Sequence, residues 1–234
     1  MGSFKKICGQ ILILLIIHSL FPRNLFAEST DDVTRSLYLY TDYGLGTYKS
    51  KLLESNDTNS VLTYGAGIYA GTEKRLGVDY RVEQASTAFE LNSSSLLLHW
   101  KTTAVRYRFP YVELGPVIGS VLAKGNRSGT DIFDAVGNGY GGFLGVLVPV
   151  GRRSTIDLKI CQVSTSEIID KNNAQVSIGP RLDLELSSRI GITKKNFDFT
   201  LGYRRRTFSI TENSVSFAEL QSATFIGFVG GFNF

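Results

Sequence analysis

The chain has 234 residues, of which 43% are hydrophobic and 12% aromatic, with 24 glycines and a formal charge of +4. Two cysteines cannot build a disulfide-dense scaffold, and an excess of 25 basic over 21 acidic residues gives little electrostatic support for a nucleic-acid partner.

Lys5 and Lys6 precede the apolar run Ile11-Leu12-Ile13-Leu14-Leu15-Ile16-Ile17, and the stretch closes at Asn24-Leu25-Phe26-Ala27. A charged start, a short apolar run and a small residue predict a cleavable secretory signal over residues 1–27, because a spanning helix needs about 20 apolar residues. Cys8 lies before the run and leaves with it, so Cys161 stays as the one cysteine and no intramolecular disulfide is expected. Loss of Lys5, Lys6 and Arg23 takes the 25 basic groups to 22 against 21 acidic ones, a mature charge of +1. Residues 28–35 read as a short periplasmic lead-in and residues 36–234 as one domain.

Period-two alternation predicts about ten strands, at 36–48, 61–72, 76–86, 95–109, 111–123, 137–150, 155–164, 175–188, 195–210 and 222–234. Eight is the alternative if the two runs meeting at Phe109-Pro110 are misread. The connections alternate between long polar stretches (49–60, 86–94, 124–136, 164–174, 211–221) and short links near 73–75, 110, 151–154 and 189–194. Short turns on one side and long loops on the other, with both termini on the short-turn side, require an even number of strands.

The faces of several strands separate cleanly. In the third, Leu76, Val78, Tyr80 and Val82 face away from Gly77, Asp79, Arg81 and Glu83. The eighth sets Val176, Ile178, Pro180, Leu182, Leu184 and Leu186 against Ser177, Gly179, Arg181, Asp183 and Glu185. The ninth sets Phe197, Phe199, Leu201 and Tyr203 against Asp198, Thr200, Gly202, Arg204 and Arg206. A soluble sandwich also alternates, but here charge stands opposite apolar residues in mid-strand and aromatics gather near strand ends. The fourth strand breaks parity, with Leu96, Leu98 and Trp100 even and Val105, Tyr107 and Phe109 odd. A bulge near Thr102 or Thr103 is expected to keep both sets toward lipid; otherwise His99 and Lys101 point outward. Glycines at 65, 67, 71, 115, 119, 139, 141 and 145 fall on the inner face, where small residues let a narrow barrel curve.

The last residues, Thr224 to Phe234, place Ile226, Phe228, Phe232 and Phe234 on one side of a strand and Gly227, Gly231 and Asn233 on the other. A closing strand with alternate apolar positions and a terminal Phe resembles the C-terminal signal of bacterial outer-membrane β-barrels. The resemblance in patterning covers residues 36–234. It implies an all-β, antiparallel up-and-down transmembrane barrel in the bacterial outer membrane of a Gram-negative cell. It also implies Phe228, Phe232 and Phe234 as an assembly signal, with the barrel assembly machinery, outer-membrane lipid and lipopolysaccharide as partners.

The inward set contains Asp42, Asp79, Glu83, Glu113, Asp157, Asp183, Glu185 and Asp198 against Arg81, Arg106, Arg108, Lys159, Arg181, Arg204 and Arg206. A selective pore favours a ring of one sign, whereas mixed charges in a narrow barrel pair into a core. A plugged, charged lumen is therefore expected. His99, the only histidine of the mature chain, has Leu98 and Trp100 beside it and carries no local motif of the omptin proteases or lipid A deacylases. Ser164, Ser166 and Glu167 follow the seventh strand, but such residues are common in loops. No phosphate-cradling loop, HExxH or paired CxxC occurs, so neither a cofactor nor a metal is indicated. Asn126, Asp131 and Asp134 could hold a cation near lipopolysaccharide phosphates, and Lys49 and Lys51 could meet those phosphates directly. The reading is a non-catalytic surface or envelope protein acting through external loops on a ligand that the chain does not identify. A narrow channel and a lipid- or peptide-modifying barrel enzyme are the alternatives.

Overall fold

A computed structural model describes residues 35–70, 75–89, 93–150, 154–170, 176–192 and 197–233. The expected signal, nearly all of the lead-in, Gly71 and Phe234 lie outside the described residues. Eleven strands follow in order: β1 (Arg35–Ser50), β2 (Ser55–Ala70), β3 (Leu76–Phe89), β4 (Ser94–Arg108), β5 (Val112–Arg127), β6 (Thr130–Pro149), β7 (Ser154–Asp170), β8 (Val176–Ile178), β9 (Arg181–Gly191), β10 (Phe197–Glu212) and β11 (Val215–Asn233).

Each strand pairs antiparallel with its neighbour, and β11 pairs with both β10 and β1, which closes the sheet. β8 and β9 are two pieces of one stave, both paired with β10, so the barrel has ten staves and not eight. Their registers differ by one residue: Ile178 faces Ile210, whereas Leu182 faces Thr207. The extra residue falls at Gly179-Pro180, where proline has no N–H to give a ladder.

The strands are taller than the sequence suggests. The stretches read as long polar loops are largely ladder, capped by turns at residues 51–54, 128–129 and 213–214. Ser128 and Gly129 have φ of 52° and 84°, and Asn213 and Ser214 have φ of 48° and 67°. Two consecutive positive φ values are what a tight hairpin turn matched to strand twist requires. A strand climbs roughly 2.5 Å per residue at the usual tilt, so β11, with 19 residues, rises well past a ~25 Å hydrocarbon band.

That height explains two departures from the expected faces. In the lower part of the wall apolar residues point out, with Leu201, Ile226 and Phe232 49%, 50% and 57% exposed. The exposed tyrosines Tyr43, Tyr64, Tyr80, Tyr140 and Tyr203 share that outer face. Higher up the preference inverts, because the outside is water and the inside is a core. Leu96, Leu98 and Trp100 are buried inside the barrel, while His99 and Lys101 point outward. β4 holds one unbroken register with β5 through Thr102↔Gly119 and Thr103↔Ile118, so the expected bulge is absent there. Val176 and Ile178, expected on the outside, are also buried within, 4% and 2% exposed, because the shift at Gly179-Pro180 reverses their side. Val82 keeps outward parity yet is 3% exposed.

The interior therefore has two storeys. Above, Tyr48, Leu53, Leu98, Trp100, Phe133, Ile178, Phe208 and Ile210 belong to one apolar cluster. Below lies the charged set. Small residues make room in the floor: a Cβ at Gly67 would stand 2.1 Å from the Tyr38 hydroxyl and one at Gly65 2.4 Å from that of Tyr40. Gly67→Val should destabilise the folded barrel by about 1–3 kcal/mol, read by urea unfolding in lipid vesicles. Unchanged stability would show that the Tyr38 ring is free to move aside.

Candidate functional site

Alternation alone delivers the site: β1, β3, β4, β5, β7, β9 and β10 each turn every second side chain inward, and the mid-wall positions carry charge. Ion pairs divide the inward charges into three groups. The first joins Arg81, Lys159, Arg181, Arg204 and Arg206 to Asp42, Glu83, Asp183 and Glu185. Arg204 reaches Glu185 at 2.8 Å, Asp42 at 3.3 Å and Glu83 at 3.4 Å. Arg206 donates through Nε to Asp183 at 2.7 Å, pairs closely with Glu83 and donates to Gln221 Oε1 at 3.2 Å. Such forked, charge-assisted contacts are the strong form of ion pair.

The second group lies around Glu113, which holds Arg108 closely and Arg106 at 3.2 Å, while Arg106 also reaches Asp79 at 3.1 Å. Three tyrosines complete it. Tyr38 and Tyr40 donate to Asp79 at 2.6 and 3.2 Å, and Tyr69 donates to Glu113 at 2.9 Å. These tyrosines are functional neighbours that the charge pattern did not mark. The signal was present, since Tyr38 and Tyr40 share the parity of Asp42. The third group is a 3.7 Å pair between Asp157 and Arg189. Asp198, expected in the network, has no ion-pair partner among the described residues.

Aromatic rings floor the apolar storey. The guanidinium carbons of Arg181 and Arg206 lie 4.6 and 5.3 Å from the Trp100 ring centre, and that of Arg204 lies 4.6 Å from Phe225. Cations over these faces add attraction while sealing the junction of the storeys. Among the charged groups is a cavity of about 60 Å³, lined by Arg81, Arg106, Lys159, Cys161 and Arg181 among others. It has room for a few waters and is far smaller than a solute path.

The outer end carries a separate buried carboxylate. Glu219 is 2% exposed and accepts hydrogen bonds from the Tyr48 hydroxyl at 2.8 Å, the Ser50 hydroxyl at 3.2 Å and the Leu52 amide at 3.2 Å. It stands about 35 Å up β11, beyond the hydrocarbon band, and ties down the turn at residues 51–54. Burial pushes its pKa above the usual carboxylate value, with the hydrogen bonds it accepts pulling the other way. A raised acid pKa means that its favourable contribution is full below the unfolded-state value and is lost as pH rises through the folded one. Glu219→Gln should therefore lose less stability than the parent between pH 4 and 7, measured by urea unfolding across that range. Identical pH slopes would contradict the assignment.

Other candidates are not assembled. His99 is on the outer wall, beside Gln84 and Leu122 in register, away from every charged group of the lumen. Asn126 donates to Asp131 at 3.1 Å and accepts from the Gly129 amide, and Asp134 pairs with Lys124 at 3.0 Å. These groups brace a hairpin. Lys49 and Lys51 are exposed, and the side chains of Ser166 and Glu167 lie outside the described residues.

A closed antiparallel wall that is apolar outside and charged within is stable only where lipid surrounds it, since every ladder must be satisfied internally and the outer leucines and phenylalanines need a hydrocarbon neighbour. The fold is that of a closed, ten-stave antiparallel transmembrane β-barrel.

No protein-family model and no curated protein matches the chain. Solved structures similar in fold include Neisserial surface protein A, at 13% identity and TM-score 0.38 over 84% of this chain and 97% of that one. The translocator domain of the autotransporter NalP from Neisseria meningitidis is 12% identical, with TM-score 0.43 over 99% and 97%. Ail, the attachment invasion locus protein of Yersinia pestis, is 13% identical, with TM-score 0.36 over 85% and 99%.

Proposed function

We propose that the protein is a non-conducting, non-catalytic surface barrel that acts through its tall outer hairpins at the lipopolysaccharide layer. The observation that carries this reading is the pair of packed storeys across the described interior: paired charges below, and the cluster around Leu98, Phe133 and Phe208 above. A conduit needs a continuous wet path, and an apolar storey opposes one. His99, set on the outer wall away from the lumen charges, has no hydrogen bond or ion pair to a carboxylate among the described residues, which supports a non-catalytic role.

Planar-bilayer recording of the purified protein tests the reading. It should give no stable open-pore conductance, and reproducible steps of open-pore size would overturn it. Recognition of the chain by the barrel assembly machinery through Phe228, Phe232 and Phe234 belongs to the same proposal. Deleting Phe234 should lower the amount inserted in cells more than it lowers stability after folding in detergent. Normal outer-membrane levels of the deletion would remove the signal from the account.

A further inference from the structure

We infer, resting on the reading above that the outer hairpins stand in the lipopolysaccharide layer, that Lys101 and Arg205 are two points on the outer wall where the barrel binds the phosphates of that lipid. Trp100, Arg204 and Arg206 are buried in the lumen. Alternation therefore turns Lys101 and Arg205 outward, and both are exposed.

The register sets their height. Followed from partner to partner around the wall, Arg35 leads through Tyr107 and Arg205 and back to β1 at Thr47, so the path climbs as it turns. Arg205 lies half a circuit beyond Tyr107, and half of the climb equals the step along β4 from Tyr107 to Lys101. The two cations thus stand level, on opposite faces of the barrel. Their height above Arg35 is ~25 Å at the usual climb of a tilted strand, which is the thickness of the hydrocarbon band. Below them the wall is apolar and exposed, as at Val105, Ile118 and Leu201. Above them it turns polar, as at Gln84, Ser86 and Thr207.

Neither side chain has an ion pair or hydrogen bond among the described residues. The carboxylates at their height, Glu83 and Asp183, are turned into the lumen and held by Arg206. Cations at the edge of hydrocarbon with no protein counter-charge take it from the lipid, and a phosphate offers its oxygens to the ammonium and to the arginine fork. A serine sits beside each cation: Ser120 opposite Lys101, and Ser222, itself bonded to the Thr47 hydroxyl, opposite Arg205.

Native mass spectrometry of the detergent-folded barrel tests the assignment, with diphosphorylated lipid A, the same lipid A after phosphatase treatment, and inorganic phosphate as probes. The parent should hold two molecules of the phosphorylated lipid and hold the phosphatase-treated lipid more weakly. Lys101→Gln and Arg205→Gln should each weaken one of the two by about tenfold, the worth of one charge-assisted contact, and the double variant should weaken both. Lys124→Gln, higher on the wall and already paired with Asp134 at 3.0 Å, should change nothing. Equal binding of the two lipids, or variants that bind as the parent does, would overturn this inference alone. Displacement of the lipid by an equimolar amount of inorganic phosphate would overturn it in favour of a free-anion site. A parent that binds neither lipid would overturn the lipopolysaccharide reading as well.

Discussion

Arg206→Met should cost the barrel about 3–5 kcal/mol, because it leaves Glu83 and Asp183 buried without their closest cation. Arg206 is 2% exposed and Glu83 is also 2% exposed, so water cannot take over the lost contacts. The same loss would free Gln221 and one face of Trp100, which Arg206 also engages. Arg181→Met should cost less. Arg181 shares its carboxylate, Asp183, with Arg206, so its removal leaves that carboxylate paired. Lys51→Met, on an exposed turn, should stay within about 0.5 kcal/mol of the parent. Folding titrations in lipid vesicles give the ranking, and equal effects for Arg206 and Lys51 would contradict the buried network.

The second large effect belongs to the opposite face. Leu201→Arg should destabilise by about 2–4 kcal/mol, the range expected for a cation placed against hydrocarbon near mid-membrane. Leu201 is 49% exposed in the wall and pairs laterally with Ile226 and Ser188. Asn56→Arg, high on β2 and exposed, should be nearly silent. If the two substitutions were equally mild, this part of the wall would not face lipid.

The sequence carries the lower storey well and the upper one poorly, for a physical reason. Where a strand crosses the membrane its outer residues must be apolar and its inner ones are free to be charged, so Asp79, Arg81 and Glu83 against Leu76, Val78 and Tyr80 reveal both faces at once. Ten staves followed from the same alternation. Above the membrane the rule reverses, and Leu96, Leu98 and Trp100 look like a lipid face shifted by a bulge when they are a core facing in. Alternation reports which side is apolar, and lipid and core are alike to it. Polar hairpin walls such as Lys49 to Ser60 likewise read as loops, although the positive φ needs of Ser128-Gly129 and Asn213-Ser214 were compatible with tight turns. The one-residue shift at Gly179-Pro180 had a local cue in the proline, but its effect on Val176 and Ile178 depends on pairing with Ile210. The charged network was visible as a set of inward residues. Its partition into groups, and the tyrosines that complete it, depend on distances across the lumen.

Neighbouring residues on β5 test the two-storey interior most directly. Ala123 is 0% exposed inside the barrel, while the Lys124 side chain is 50% exposed outside it, at the same height above the membrane. In a Cys161→Ser background, whole cells carrying Lys124→Cys should react quickly with a membrane-impermeant maleimide, and cells carrying Ala123→Cys should not. Rapid labelling at both positions would mean that the outer end of the lumen is open to water and that the apolar storey does not close it.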